Sequence, residues 1–206
     1  MSKFFKIHPE NPQSRLIRKS VDIIKKGGLI AYPTDSGYAL GCQLEDKKAL
    51  DKILSIRKLD KNHNFTLLCR DLSEISKYAR FDSPVFRILK AHTPGPYTFI
   101  LRATREVPRR LLHPRQKTVG IRIPDNKIDQ SILDELKEPL MTTSLIFPGE
   151  KYPCHDPKTI PGSMQEKIEL IISGGYCSRI PTTVIDLTEE KPRILREGKG
   201  SINNFM

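Results

Sequence analysis

The chain lacks tryptophan altogether and has only four cysteines in 206 residues. Cys42, Cys69, Cys154 and Cys177 stand far apart, and no two of them form a CxxC pair. A structural zinc site needs close Cys or His pairs to build one tetrahedron, so this spacing argues against one and no bound metal is expected. No apolar stretch follows a basic start at the N-terminus, so a secretion signal is not read here. The thiols are therefore expected to be reduced and the protein cytoplasmic. Long apolar runs are missing too. Leu29 to Tyr32 and Phe99 to Leu101 fall far short of the roughly 20 residues a membrane helix needs. No repeat or low-complexity tract divides the sequence. Acidic residues are the minority charge: Asp plus Glu number 24 against 35 Lys plus Arg, a net +11. Such a surplus points to a polyanionic partner, a nucleic acid or a phosphorylated ligand. Part of it is concentrated in Arg102, Arg105, Arg109, Arg110, Arg115 and Lys117, opposed only by Glu106.

What is present alternates between helical and strand periods, which reads as one α/β domain. Asn11-Pro12 opens a helix whose apolar stripe is Leu16, Ile17, Val21 and Ile24, and Gly27-Gly28 ends it. Asp46 caps a second helix over Ala49, Leu50, Ile53 and Leu54, and Asp71 with Glu74 forms a capping box. Ser83-Pro84 starts a further helix, and Ile128, Ile132, Leu133 and Leu136 mark another. Strands are expected near Leu29–Tyr32, Phe65–Cys69, Tyr97–Leu101, Thr118–Ile123, Leu140–Ser144, Ile168–Ile172, Thr183–Leu187 and Arg193–Arg196. They would make a sheet of about seven strands, with residues 147 to 162 irregular.

Five segments carry groups that could meet a ligand. The first, Ala31 to Gly41, leaves a buried strand for a loop bearing Thr34, Asp35, Ser36 and Tyr38 between glycines. Loops at strand ends are where α/β sheets place ligands. Thr93-Pro94-Gly95-Pro96-Tyr97-Thr98 is a rigid turn into a strand. In Thr118-Val119-Gly120-Ile121-Arg122-Ile123 the alternation sets Arg122 on the opposite face from Ile121 and Ile123. An arginine there pairs with a carboxylate or an anionic ligand, or else lies on a solvated face. Thr142-Thr143-Ser144 is a hydroxyl cluster at a strand end. The fifth is Pro181-Thr182-Thr183-Val184-Ile185-Asp186 followed by Ile194-Leu195-Arg196-Glu197-Gly198. His63 reads as solvated in a polar turn, and His92 as a helix-end charge. The tail from Gly198 is either loose or folded over the cleft.

Taken in this order and spacing, these segments resemble the YrdC-like superfamily, the threonylcarbamoyl-AMP synthase family, over residues 12 to 200. Phe4-Phe5-Lys6-Ile7-His8-Pro9, Asp35-Ser36-Gly37-Tyr38-Ala39-Leu40-Gly41-Cys42 and His63-Asn64-Phe65-Thr66-Leu67 look most like its YciO subgroup. The resemblance implies a three-layer, mixed and twisted sheet around a wide basic concavity. It implies chemistry that joins threonine, bicarbonate and ATP into threonylcarbamoyl-adenylate, with Mg²⁺ on the triphosphate, and it implies binding to tRNA or double-stranded RNA. By similarity, Thr34 and Ser36 match the amino-acid end of the pocket. Thr118 and Arg122 lie on a matching strand, Ser144 matches the hydroxyl of a Ser-x-Asn segment, Thr182 replaces a serine, and Arg196 matches a nucleotide-contacting arginine. Asp35, Tyr38 and Thr143 belong to the same segments and count as ligand-contacting candidates.

The chain departs from the family pattern at two places. The Lys-x-Arg triphosphate clamp falls on Ile56-Arg57-Lys58-Leu59-Asp60-Lys61, where either alignment loses the second fixed cation. Ser-x-Asn becomes Ser144-Leu145-Ile146, which replaces an amide by an apolar group. The expected protein is a monomer that binds RNA and an adenine nucleotide, with catalysis weakened or altered. The alternatives are a working synthase that uses Arg57 and Lys58 as its clamp, and an RNA-binding protein without activity.

Overall fold

The structure is a computed structural model that describes residues 2–60, 63–113 and 115–205. In chain order its elements are β1 (Lys3–Lys6), α1 (Ser14–Lys25), β2 (Ile30–Thr34), β3 (Gly37–Gln43), α2 (Lys47–Arg57), β4 (Thr66–Leu68), α3 (Leu72–Tyr78), β5 (Ala79–Arg80), α4 (Ser83–His92), β6 (Tyr97–Ala103), β7 (Thr118–Arg122), α5 (Lys127–Leu136), β8 (Leu140–Ser144), α6 (Gly162–Gln165), β9 (Leu170–Ser173), β10 (Thr183–Asp186) and β11 (Arg193–Arg196).

Most helices begin where a side chain satisfies their free amides. Asp46 Oδ1 accepts from Ala49 N at 2.9 Å, and Asp71 Oδ1 accepts from Glu74 N at 2.8 Å. Glu74 accepts from the Arg70 amide at 2.7 Å, one residue beyond the usual reciprocal bond to the cap amide. Asp82, rather than Ser83, caps α4 through Val85 N. The first helix starts later than its Asn-Pro signal, with Gln13 at the cap position and no side-chain bond there.

The strands form one mixed sheet in the order β1-β9-β2-β3-β8-β4-β7-β6-β10-β11, with β5 added beside β6. Among the described residues eleven strands replace the expected seven or so. The largest change is β3, which lies within a segment read as a loop: β2 and β3 pair antiparallel from Thr34↔Gly37 to Ile30↔Gly41. Only Asp35 and Ser36 remain as the turn between them.

Strand alternation sorts side chains onto two faces. On one face Ala31, Leu40, Leu67, Phe99, Ile121 and Met141 join Ile53 of α2, Ile75 of α3 and Leu89 of α4 in the larger core. On the other, Ile30, Tyr32, Leu140, Leu170 and Ile172 meet Ile17, Val21 and Ile24 of α1 and Ile128, Ile132 and Leu136 of α5. These two helices cover the half of the face around β9, β2 and β3. The same face continues over β4, β7, β6 and β10, and there it holds the cleft described next. Residues 198–205 fold back on the domain. Phe205 is buried against the rings of His92 and Tyr97, and the Thr183 hydroxyl donates to the Gly200 carbonyl at 2.6 Å. His92 is thus part of an aromatic cluster, its Nδ1 2.8 Å from the Ile88 carbonyl. All four cysteines are free thiols. Among the described residues no helix is long and apolar enough to cross a membrane.

Candidate functional site

Every second residue of several adjacent strands points off the sheet on the α1–α5 side, and beyond those helices most of these residues are small or polar, with Ile100 of β6 and Val184 of β10 as apolar exceptions. Thr66 of β4, Gly120 of β7, Thr98 of β6, Thr142 and Ser144 of β8, and Thr34 at the end of β2 line one cleft of about 260 Å³. Their chain neighbours Leu67, Val119, Ile121, Phe99 and Met141 fill the core behind it. From β8 to β10 the floor crosses four strand spacings of about 4.8 Å, roughly 19 Å in all. Tyr38, His63, Thr143, Arg122, Thr182 and Arg196 also line it, beside the apolar Phe65, Ile100, Val184 and Leu195.

At the hairpin end, the Thr34 hydroxyl donates to the Gly37 carbonyl at 2.6 Å and accepts from Ser36 N at 3.1 Å. The turn is therefore braced from within, and Ser36 is buried. Asp35 faces inward and forms an ion pair with Arg122 Nη2. Arg122 is 7% exposed, so a solvated face is ruled out for it. Burial pushes its pKa down to about 10, while Asp129 and Tyr32 pull it up. Tyr38 is held by its hydroxyl, which donates to the Gly175 carbonyl at 2.7 Å and accepts from Gly174 N at 3.2 Å.

At the β8 end, Arg57 Nη1 donates to the Ser144 carbonyl and lies 3.5 Å from Thr143 Oγ1. Burial pushes the Arg57 pKa down to about 10. His63 is half-buried rather than solvated, with Nε2 3.2 Å from Thr143 Oγ1 and its ring edge-on to Phe65. Burial, then the charge of Arg57, lowers its pKa. Lys58 is exposed, in the left-handed conformation that ends α2, and does not line the cleft. Lys61, the other basic residue of that segment, lies outside the described residues. At the far end, Arg196 donates through Nε to the Thr182 carbonyl at 3.0 Å and through Nη2 to its hydroxyl at 3.1 Å. That hydroxyl also bonds Thr98 at 2.9 Å. Thr118 faces an adjoining compartment of about 230 Å³ that shares Gly120 with the main cleft.

Of the residues singled out in the sequence, Thr34, Tyr38, Arg122, Thr143, Ser144, Thr182 and Arg196 thus meet in one cleft. Arg57 is not part of its lining but bonds the lining residue Ser144 from behind, and Asp35 stands behind Arg122. Missed were His63, Thr66, Thr98 and Gly120. Hydroxyls beside fixed guanidinium groups suit a ligand that carries phosphates and polar groups. Among the described residues no cluster of three or more His, Cys, Asp or Glu is placed to hold a metal ion.

Truncating Arg57 to alanine is expected to weaken adenine-nucleotide binding by about 10-fold, the share of one charge-assisted contact. It should also raise the His63 pKa toward the ordinary imidazole range, because a nearby positive charge is lost. Calorimetry and an NMR titration of His63 read the two effects. Unchanged affinity would remove Arg57 from the site.

The Sua5/YciO/YrdC family model, described as telomere recombination, matches residues 22–198. The chain is 54% identical to the uncharacterised protein YciO of Escherichia coli over all of both chains. The crystal structure of E. coli YciO superimposes with a TM-score of 0.96 over 100% of each chain. A putative threonylcarbamoyl-AMP synthase of Methanocaldococcus jannaschii is 30% identical over 96% of this chain and 93% of its own length. The structure of P. abyssi Sua5 complexed with L-threonine matches 96% of this chain and 58% of that one, with a TM-score of 0.85 at 26% identity. With its fold and nearly its whole length so matched, the chain belongs to the Sua5/YciO/YrdC family, whose more distant members here include threonylcarbamoyl-AMP synthases.

Proposed function

We propose that this protein binds an adenylate in the hydroxyl-lined cleft and RNA on its basic surface, in chemistry allied to threonylcarbamoyl-adenosine formation, with synthase activity weakened. The observation that carries the reading is the state of the phosphate clamp. The hydroxyl floor from Thr34 to Thr182 is complete, but Arg57 is turned onto the Ser144 carbonyl and Lys58 stands outside the lining.

Forming an acyl-adenylate asks the protein chiefly to position carbamate and α-phosphate and to hold developing charge. The Thr34 end would receive the amino acid. Support comes from the kinship with Sua5, whose structure was obtained with L-threonine. Arg196 at the other end would receive the nucleotide's phosphates, with the charge of Arg57 behind Thr143 and Ser144 adding a weaker attraction. Mg²⁺, when ATP is the ligand, would arrive on the triphosphate. With one clamp cation turned away and Ile146 where the family has an amide, less charge is fixed against the leaving pyrophosphate. Binding without fast turnover is the consequence. The RNA arm is supported by the exposed Arg102, Arg105, Arg109, Arg110, Arg115 and Lys117.

The deciding experiment supplies pure protein with ATP, Mg²⁺, threonine and bicarbonate beside a family synthase as control. Calorimetry should detect adenylate binding while pyrophosphate release stays far below the control. RNA affinity should fall steeply with salt, as counterion release demands. Turnover at the control rate would replace this reading by the synthase reading. Failure to bind any adenylate would end both.

A further inference from the structure

Two loops outside the cleft carry exposed aromatic rings, and their placement does not follow from packing. Tyr176 is 80% exposed, yet its ring stacks on that of His155 at 6.3 Å and 26°. The two loops are joined by the Cys177 amide, which donates to the His155 carbonyl at 2.9 Å. Both are also pinned to β3: Tyr38 N donates to the Cys154 carbonyl at 2.8 Å, and the Tyr38 hydroxyl holds the Gly175 carbonyl. They touch the lip of the cleft itself. A Cβ on Gly37, a cleft residue, would stand 2.6 Å from Pro153 and 3.2 Å from the Ser178 carbonyl.

We propose that the Tyr176–His155 ring pair is a stacking platform for an unpaired RNA base, placed so that a neighbouring nucleotide reaches the cleft. The inference rests on the reading that the chain binds RNA, and it adds which part of an RNA is held and where. Three observations point to this occupant. The loops that carry the rings are tied to each other and to β3 by hydrogen bonds, and Tyr176 leans on His155, so little backbone freedom is lost when a base lies on its exposed face. Exposed Arg179 follows it in the same loop, and exposed Lys151 and Lys158 stand in the other against Glu150 and Asp156, so the two loops together keep one surplus cation for a backbone phosphate. The chain as a whole carries +11. A folded protein partner would need a far larger apolar area than these few rings offer. Duplex RNA is a poor fit, because its paired bases are already stacked on both sides.

The test uses the full chain, an unstructured RNA oligonucleotide containing 2-aminopurine, and a duplex of the same length. Wild type should quench the probe. Tyr176→Ala should lose the quench and weaken single-strand binding by roughly 5- to 100-fold, the effect of one lost base stack. Tyr176→Phe should restore both. The salt slope of Tyr176→Ala should match wild type, because no charge is removed, whereas Arg179→Ala should lower the slope by about one. Adenylate binding in the cleft should be unchanged in every variant. Equal single-strand affinity in wild type and Tyr176→Ala, or an equal loss on duplex and single strand, would overturn the platform while leaving RNA binding standing. If wild type binds neither RNA, the platform and the RNA arm of the proposed function fail together, and the adenylate arm is judged by its own calorimetry.

Discussion

Arg122→Met is expected to lower folding stability by about 3–5 kcal/mol, the cost of leaving buried charge without its partner. Arg122 sits between two carboxylates. It pairs with Asp35 from the hairpin turn, and Asp129 of α5 lies near enough for the two charges to pull on each other. Asp129 is 1% exposed, and neither of its carboxylate oxygens has a hydrogen-bond partner among the described residues. Methionine keeps much of the arginine's volume but removes the cation that pairs with Asp35 and attracts Asp129. Urea unfolding measures the loss as a lower midpoint at an unchanged slope. The pH dependence identifies its cause. Burial pushes the Asp129 pKa well above the 3.8 of a free aspartate, and the Arg122 charge pulls it part of the way back. A raised folded-state pKa gives stability that is complete below the unfolded value and declines as pH rises through the folded one. Without Arg122 that pKa climbs further, so the decline continues to higher pH. The deficit of Arg122→Met should therefore be smallest near pH 3.8 and below, and grow toward neutrality. A loss below about 1 kcal/mol, or one independent of pH, would show that the cluster is not held together by charge.

How much of this was legible beforehand differs residue by residue. The β7 segment announced itself, because Val119 and Ile121 alternate with Thr118, Gly120 and Arg122, and a period of two puts the first pair in the core and the rest toward the cleft. The caps Asp46 and Asp71 were equally plain, since each acts on an amide three residues away. By contrast β3 was hidden: Gly37 to Cys42 are buried on both faces, so nothing alternates and its glycines read as loop. Asp129 looked like one more polar residue on an amphipathic helix, and only the packing of α5 over the sheet buries it. His63 owes its place to Thr143, eighty residues away in the chain. The threonines of the floor are scattered over separate strands, and local sequence carries no sign that they converge. The strand order explains why these residues face one another.

Gly120→Leu should abolish adenylate binding while leaving the fold intact. Gly120 lies in the middle of β7, with β4 on one side and β6 on the other, and lines both the main cleft and the adjoining compartment. A Cβ there would stand 3.0 Å from Thr66 Oγ1 and 3.5 Å from Thr98 Cγ2, so it enters tight but not closed space. The hydroxyl can yield by a few tenths of an ångström. The rest of a leucine side chain then has only the cleft to occupy, across the middle of the floor between the Ser144 and Thr182 ends. Glycine inside a strand also carries an entropy cost of about 0.5–1 kcal/mol relative to residues with a side chain, which offsets part of the crowding. The expected stability change is within about 1 kcal/mol, against a fall in adenylate affinity of more than about 100-fold. Gly120→Ala separates the two effects. One methyl group tests the backbone and the contact with Thr66 but leaves most of the cleft open, so its affinity should fall by no more than about 10-fold. Thermal unfolding beside calorimetry reads both variants. A leucine variant that binds adenylate like wild type would place the ligand elsewhere on the molecule, because no nucleotide can lie across that floor with position 120 filled.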